Sequence, residues 1–206
     1  MTAQSVTAKK SAGTIQELLS PRAAAWKDAP EVLLPLQPTP LEAQPSAYVQ
    51  KAWAGRSRGA IPSVSVKALA AGGQLALRLE WAAADPRHTI NDNDVFADAC
   101  AVLFPADGKD AEIATMGSAD RPVTAWYWRA GAGAPNLATA KGLGTVSREA
   151  KHSLKATGEW QSGSWQVVLA GPASSAKIGV AVWSGASGER AGLKSHTPSW
   201  HDLKVG

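Results

Sequence analysis

Ser63-Val64-Ser65-Val66-Lys67-Ala68-Leu69-Ala70-Ala71-Gly72-Gly73-Gln74-Leu75-Ala76-Leu77-Arg78-Leu79-Glu80-Trp81 is the stretch that decides the fold. Val64 and Val66 alternate with Ser63, Ser65 and Lys67. Beyond the Ala71-Gly72-Gly73 turn, Leu75, Leu77, Leu79 and Trp81 alternate with Gln74, Arg78 and Glu80. A period of two marks a strand with one buried face, and two such runs about a glycine turn make a hairpin.

Outward from this hairpin the same period returns in short segments. Asp85-Pro86-Arg87 breaks the second strand, Asp92-Asn93-Asp94 makes a polar loop, and a strand over about 96–104 is closed by Pro105 and Gly108. The spacing predicts further strands over 123–129, with Trp126 and Trp128 on one face and Tyr127 on the other, over 165–169 and 178–183, and a last short strand or turn over 200–205. Upstream, Ser20-Pro21-Arg22 opens a helical turn through Trp26. Pro30, Pro35, Pro38, Pro40 and Pro45 then exclude a long helix or a central strand, leaving an edge strand over 32–36. Residues 135–155 show no period and read as a loop excursion, and 184–194 as loop. Seven or more short strands without a long helix indicate an all-β, antiparallel β-sandwich with a few short helices in loops. The 206 residues suit a single domain over 15–206, behind a small, polar stretch over 1–14 that reads as a flexible arm.

Composition excludes several function classes. The net charge of +4 is spread along the chain with no basic run longer than Lys9-Lys10, so a nucleic-acid surface is not expected. Cys100 is the only cysteine, which removes disulfides, Cys-based zinc or iron–sulfur sites and covalent haem attachment. No apolar run is long enough to span a membrane. There is no Gly-x-Ser-x-Gly elbow. His88, His152, His196 and His201 never fall at metal-helix spacing, and Asp92, Asp94 and Asp98 lack the glycine and glutamate of an EF-hand loop.

Two segments carry candidate chemistry. Thr115-Met116-Gly117-Ser118-Ala119-Asp120-Arg121-Pro122 holds the only methionine besides Met1, in a turn that runs into Trp126-Tyr127-Trp128. Methionine ordinarily fills gaps in a core, but a thioether beside an aromatic wall is also what a haem pocket offers its iron. Trp126 or Trp128 would form part of that wall, or else ordinary sandwich core. In the second segment, two glycine turns bracket Glu189-Arg190 before Leu193-Lys194-Ser195-His196. Taken alone, Lys194 reads as a solvated loop lysine.

The ordered set Asp92-Asn93-Asp94-x-Phe96-x-Asp98-Ala99, Met116-Gly117 with Pro122-Val123 and Trp126-Tyr127-Trp128, and Val182-Trp183-x-Gly185 with Glu189-Arg190 and Lys194-Ser195 resembles the haem b-binding γ subunits of ethylbenzene dehydrogenase and its relatives. Those relatives are the corresponding subunits of dimethyl sulfide dehydrogenase, chlorate reductase and selenate reductase. The resemblance covers about 19–203. It implies one haem b held between Met116 and Lys194, in a non-catalytic electron-transfer subunit. The implied partners are a molybdopterin-containing α subunit, an iron–sulfur β subunit and a soluble c-type cytochrome. Lys194 has a competitor two residues away in His196, since imidazole is a commoner haem ligand. The resemblance also implies a periplasmic location, although the first ten residues lack the charged start and apolar core of a secretory signal. The competing readings are a haem-free carbohydrate- or ligand-binding sandwich whose nine tryptophans form a stacking surface, and a stand-alone haem b domain.

Overall fold

The computed structural model describes residues 4–90, 93–172 and 175–206. Its strands are β1 (Ser5–Lys10), β2 (Glu31–Pro35), β3 (Gln37–Pro38), β4 (Ser63–Ala71), β5 (Gln74–Ala82), β6 (Ala99–Pro105), β7 (Val123–Arg129), β8 (Asn136–Ala140), β9 (Ser147–Arg148), β10 (Lys155–Gln161), β11 (Ser164–Gly171), β12 (Lys177–Trp183), β13 (Ser195–His196) and β14 (His201–Val205). Two short helices, α1 (Ile15–Leu18) and α2 (Ala47–Trp53), sit in connections.

The strands form two sheets with β12 as their common member. The first runs β10-β11-β5-β4-β1-β14 and the second β12-β6-β7-β8-β9. Lys177 and Ile178 of β12 pair with β14, while 179–183 pair with β6. The β4–β5 hairpin turns at Gly72-Gly73 as its pattern predicts. The inward residues of both sheets meet in one core: Val64, Val66, Leu75, Leu77, Leu79 and Trp81 from the first, Cys100, Val102, Phe104, Trp126, Trp128, Val180 and Val182 from the second. This is the expected sandwich, all antiparallel except at β1.

That exception corrects the reading of 1–14 as a flexible arm. Residues 5–10 are a strand inserted parallel between β14 and β4, with Val6 and Ala8 fully buried. Only two small apolar positions alternate there, too few for a period to stand out. The open edges of β4 and β14 supply the order by taking up its backbone N–H and C=O groups. The loop excursion over 135–155 is also corrected. β8 pairs with β7 through Ala138 and Ala140, and β9 pairs with β8. From 155 the chain enters β10, which forms a hairpin with β11 through Ser162-Gly163, both at positive φ. Of the polar loop 92–94, Asp92 lies outside the described residues.

β10 owes its glycine to close packing. A Cβ at Gly158 would overlap the indole of Trp128, and that ring is wedged edge-on between Trp81 and Trp165. Gly158→Ala is therefore expected to destabilise the protein by about 1–3 kcal/mol, the range for overpacking a well-filled core. Urea unfolding measures it, and a neutral result would show that the tryptophan cluster has slack.

Candidate functional site

The second sheet is apolar on both faces. All seven residues of β6 are buried, and so are the last six of β12. A sandwich strand that faces water on one side should alternate, so the outer face of this sheet is built to be covered. On that face direct strand pairs place Ala101 beside Ala181 and Tyr127, Ala125 beside Leu103 and Ala138, and Ala99 beside Trp183 and Arg129. The small alanines leave room that larger side chains would fill. A cavity of about 440 Å³ opens over them, lined by Ala99, Ala101, Ala125 and Ala138, and walled by Phe96, Leu143 and Met116.

Met116 reaches this cavity from a constrained turn. Its N–H donates to the Ile113 carbonyl (3.1 Å) and the Gly117 N–H to the Glu112 carbonyl (2.8 Å), the paired bonds of a Schellman turn. Met116 occupies the left-handed position of that turn, at φ 61°, where glycine is the usual residue. A long side chain in a conformation that costs it on the order of 1 kcal/mol marks a position kept for what the side chain does. A bond from Trp200 Nε1 to the Ala111 carbonyl (2.7 Å) and the Lys177–Asp110 ion pair (2.7 Å) fasten the segment leading into the turn.

Lys194 stands in the loop that leads into β13. Its loop is pinned at successive carbonyls: Ala191 accepts from Trp183 Nε1 (3.0 Å), Gly192 from Gln44 Nε2 (3.1 Å) and Lys194 from Thr39 N–H (3.0 Å). β13 then pairs with both β12 and β3. The Lys194 side chain is 1% exposed, and its Nζ donates to the carbonyl of Ala114 (3.0 Å), two residues before Met116. Among the described residues it makes no ion pair with a carboxylate. Burial lowers its pKa from 10.5 to about 8. The fold thus sets the Lys194 amine on a carbonyl two residues before Met116, although Lys194 itself is not among the residues that line the cavity.

His196, two residues on, faces the same side, because it pairs directly with the cavity-side residue Ala181. Its Nδ1 lies 2.8 Å from the Thr197 carbonyl, which makes Nδ1 the protonated nitrogen. Nε2 is buried without a partner. Burial lowers its pKa as well.

The two tryptophans singled out in the sequence are elsewhere. Trp126 and Trp128 lie on the inner face of β7, in the core between the sheets, and neither lines the cavity. The period-two alternation that put them together also turns them away from Met116. The aromatic residues of the cavity wall are Phe96, Tyr127 and Trp183, the last two set edge to face at 5.6 Å between ring centres. The stacking surface of the carbohydrate-binding reading is likewise absent, since eight of the nine tryptophans are buried and only Trp160 is partly exposed. The signal that sequence reading missed is the unbroken apolar run of β6 and β12 together with alanine at outward positions.

Two buried carboxylates organise the loops around the cavity mouth. Asp98 accepts from Gly185 N–H (2.8 Å), Arg87 N–H (2.8 Å) and Trp165 Nε1 (2.7 Å). Glu189 accepts from the N–H groups of Gly59 (2.7 Å), Ser184 (3.0 Å) and Ala60 (3.1 Å). Burial raises the Glu189 pKa against those three bonds. Among the described residues no group of three or more His, Cys, Asp or Glu side chains could hold a bare metal ion, and no helix is long and apolar enough to cross a membrane.

Fold and site together define an all-β sandwich with an apolar cavity that Met116 lines and a buried amine, Lys194, held on the backbone two residues before it. The chain belongs to the ethylbenzene dehydrogenase family, which its residues 23–152 match. It is 32% identical to chlorate reductase subunit gamma of Ideonella dechloratans over 90% of this chain and 79% of that one. It is 27% identical, over 88% of this chain and 66% of the other, to a Haloferax mediterranei protein named as a respiratory nitrate reductase heme subunit. Among solved structures, a family 9 carbohydrate-binding module from Caldicellulosiruptor kristjanssonii, in complex with glucose, superposes with a TM-score of 0.51 at 8% identity, over 98% of this chain and 96% of that one. At that identity the likeness is one of fold alone.

Proposed function

We propose that this chain is a non-catalytic electron-transfer subunit that binds one non-covalent haem b through Met116 and Lys194. The observation that carries the reading is the buried Lys194 amine, free of any carboxylate among the described residues and hydrogen-bonded to Ala114 at the foot of the Met116 turn. A solvated or structural lysine needs neither the burial nor that partner. The relatives named as gamma and heme subunits support it.

A haem held there supplies a one-electron ferric/ferrous couple. Met116 contributes a thioether that carries no proton and favours the reduced metal. Lys194 ligates only as the neutral amine, and its desolvated surroundings lower the cost of releasing the proton. The Ala114 carbonyl accepts one amine hydrogen and so orients the nitrogen lone pair. Attachment is non-covalent because Cys100 is fully buried in the core, with its thiol pKa pushed up by burial. If Met116 and Lys194 both held the iron, the protein would leave no site on it for a substrate, and the chemistry the group would supply is electron relay. In this reading electrons pass between a molybdopterin-containing α subunit with its iron–sulfur β subunit and a soluble c-type cytochrome, in the periplasm.

A second reading exchanges Lys194 for His196. It is favoured by one observation: a ring nitrogen that is buried and unpartnered while the other is held on a backbone carbonyl, the arrangement of a metal-ligating histidine.

Reduced-minus-oxidised optical spectra of the haem-loaded protein test both. The wild type should give a low-spin b-type spectrum that turns high-spin or vanishes in Met116→Ala and in Lys194→Ala, and persists in His196→Ala. Loss in His196→Ala with retention in Lys194→Ala would move the ligand to the histidine. A wild type that takes up no haem would leave only a ligand-binding sandwich.

A further inference from the structure

The cavity has a polar corner that axial ligation does not use. Arg129 follows Tyr127 by two residues on the outer face of β7. Asn136 pairs directly with Tyr127, and Arg148 pairs directly with Ala138. Direct partners share a face, so Tyr127, Arg129, Asn136 and Arg148 all project over the same side of the second sheet, and all four line the cavity. The guanidinium groups of Arg129 and Arg148 both lie close enough to the Tyr127 hydroxyl to favour its ionised form, against the burial that opposes it. Neither arginine is ion-paired with a carboxylate among the described residues. Among the described residues the one acidic side chain lining the cavity, Glu189, already spends both oxygens on three backbone N–H groups. The rest of the lining is largely alanine, leucine, valine and aromatic carbon. An apolar chamber with an unneutralised, donor-rich cationic corner fits an apolar body that carries carboxylates at one edge.

We propose that Arg129 and Arg148, assisted by the Tyr127 hydroxyl, bind the two propionate carboxylates of the haem and thereby set which edge of the ring enters the cavity first. The inference rests on the haem reading above. The planar guanidinium fork matches a carboxylate with two parallel hydrogen bonds, which the compact ammonium of a lysine does not reproduce. Arg129 is half-buried, which strengthens a pair with a carboxylate there, whereas Arg148 is exposed and relies on its bidentate geometry, and removing either leaves no cavity in the core.

The test is a Soret-band titration of the haem-free full chain with haem and, separately, with haem dimethyl ester, which has the same ring and iron but no free carboxylate. The wild type is expected to bind haem about tenfold or more tightly than the ester. Arg129→Ala/Arg148→Ala should lose that preference, with ester affinity and melting temperature unchanged. Arg129→Lys/Arg148→Lys should keep only part of it. Arg148→Ala alone, on an exposed two-residue strand, provides the same comparison should the double variant not fold. Equal affinity of the wild type for the two compounds overturns this proposal and leaves the haem reading standing, as does a preference that survives in the double variant. A wild type that binds neither compound overturns both.

Discussion

Replacing Lys194 by methionine is expected to stabilise the haem-free protein at pH 7 by about 3 kcal/mol, while removing the amine ligand and so changing the optical spectrum when haem is supplied, a thioether being able to take its place. The stabilising half follows from burial. Lys194 is among the largest fully buried side chains, and its pKa falls from 10.5 to about 8, so at pH 7 the folded chain holds a desolvated ammonium. A displacement of that size corresponds to about 3 kcal/mol at about 1.4 kcal/mol per pH unit. Methionine matches the length of the side chain without the charge, and apolar replacement of a buried ion commonly stabilises. For a chain of this length the melting temperature should rise by roughly 6–12 °C.

The pH dependence has a definite sign. Between about pH 8 and 10.5 the unfolded chain keeps the Lys194 proton and the folded chain has lost it, so wild-type stability gains as pH rises through that window. Below pH 8 both states are protonated and the full penalty stands. The stability gap between Lys194→Met and wild type should therefore be widest at pH 7 and close towards pH 10.5. Urea unfolding of both proteins at pH 7, 9 and 10.5 reads it, and a gap that stays constant over that range would show that Lys194 is not a buried titrating amine. A residue that weakens the empty fold and has no carboxylate partner among the described residues is the pattern of a side chain kept for a ligand.

Asp98→Ala is expected to have the largest destabilising effect, about 3–5 kcal/mol. The carboxylate is 2% exposed and takes donors from three directions: the Arg87 N–H, the Gly185 N–H and the indole of Trp165. Its removal leaves two buried donors and one part-buried donor without an acceptor, each costing about 1–3 kcal/mol if water cannot reach it. The local backbone has little slack, since a Cβ at Gly185 would already overlap the Phe96 carbonyl. Phe96 in turn supports the guanidinium of Arg190 at 4.3 Å, so the loops at the cavity mouth should loosen together. Chemical denaturation gives the stability and a haem titration gives the affinity. A loss under about 1 kcal/mol would mean that water satisfies those donors and that Asp98 does not organise the mouth.

Much of the sandwich was legible in the sequence because its long strands bury one face. Val64 to Trp81 show that period plainly, and so do Val123 to Arg129. Where burial is two-sided or side chains are small, the pattern fades. β8 carries its buried positions on Ala138 and Ala140, and β1 on Val6 and Ala8, so neither shows a clear period in the sequence. Their order comes from neighbouring strand edges that supply hydrogen-bond partners from distant parts of the chain. The two proposed ligands stand out in the sequence for a different reason: Met116 is the only internal methionine, and Lys194 follows glycine turns in an ordered set of motifs that resembles the family.

By itself, then, the sequence determined the β class, the lack of any cysteine pair for covalent haem attachment and the presence of a single internal methionine, because these are matters of period and of which atoms exist. Tertiary structure alone decided which face of β7 meets the cavity, and it chose Tyr127 and Arg129 over Trp126 and Trp128. It alone buried Lys194 against Ala114 and gathered Arg129 and Arg148 from separate strands around one hydroxyl. A strand's period states that its two faces differ; what lies against each face depends on how the sheets close, and that is set by contacts between residues far apart in the chain.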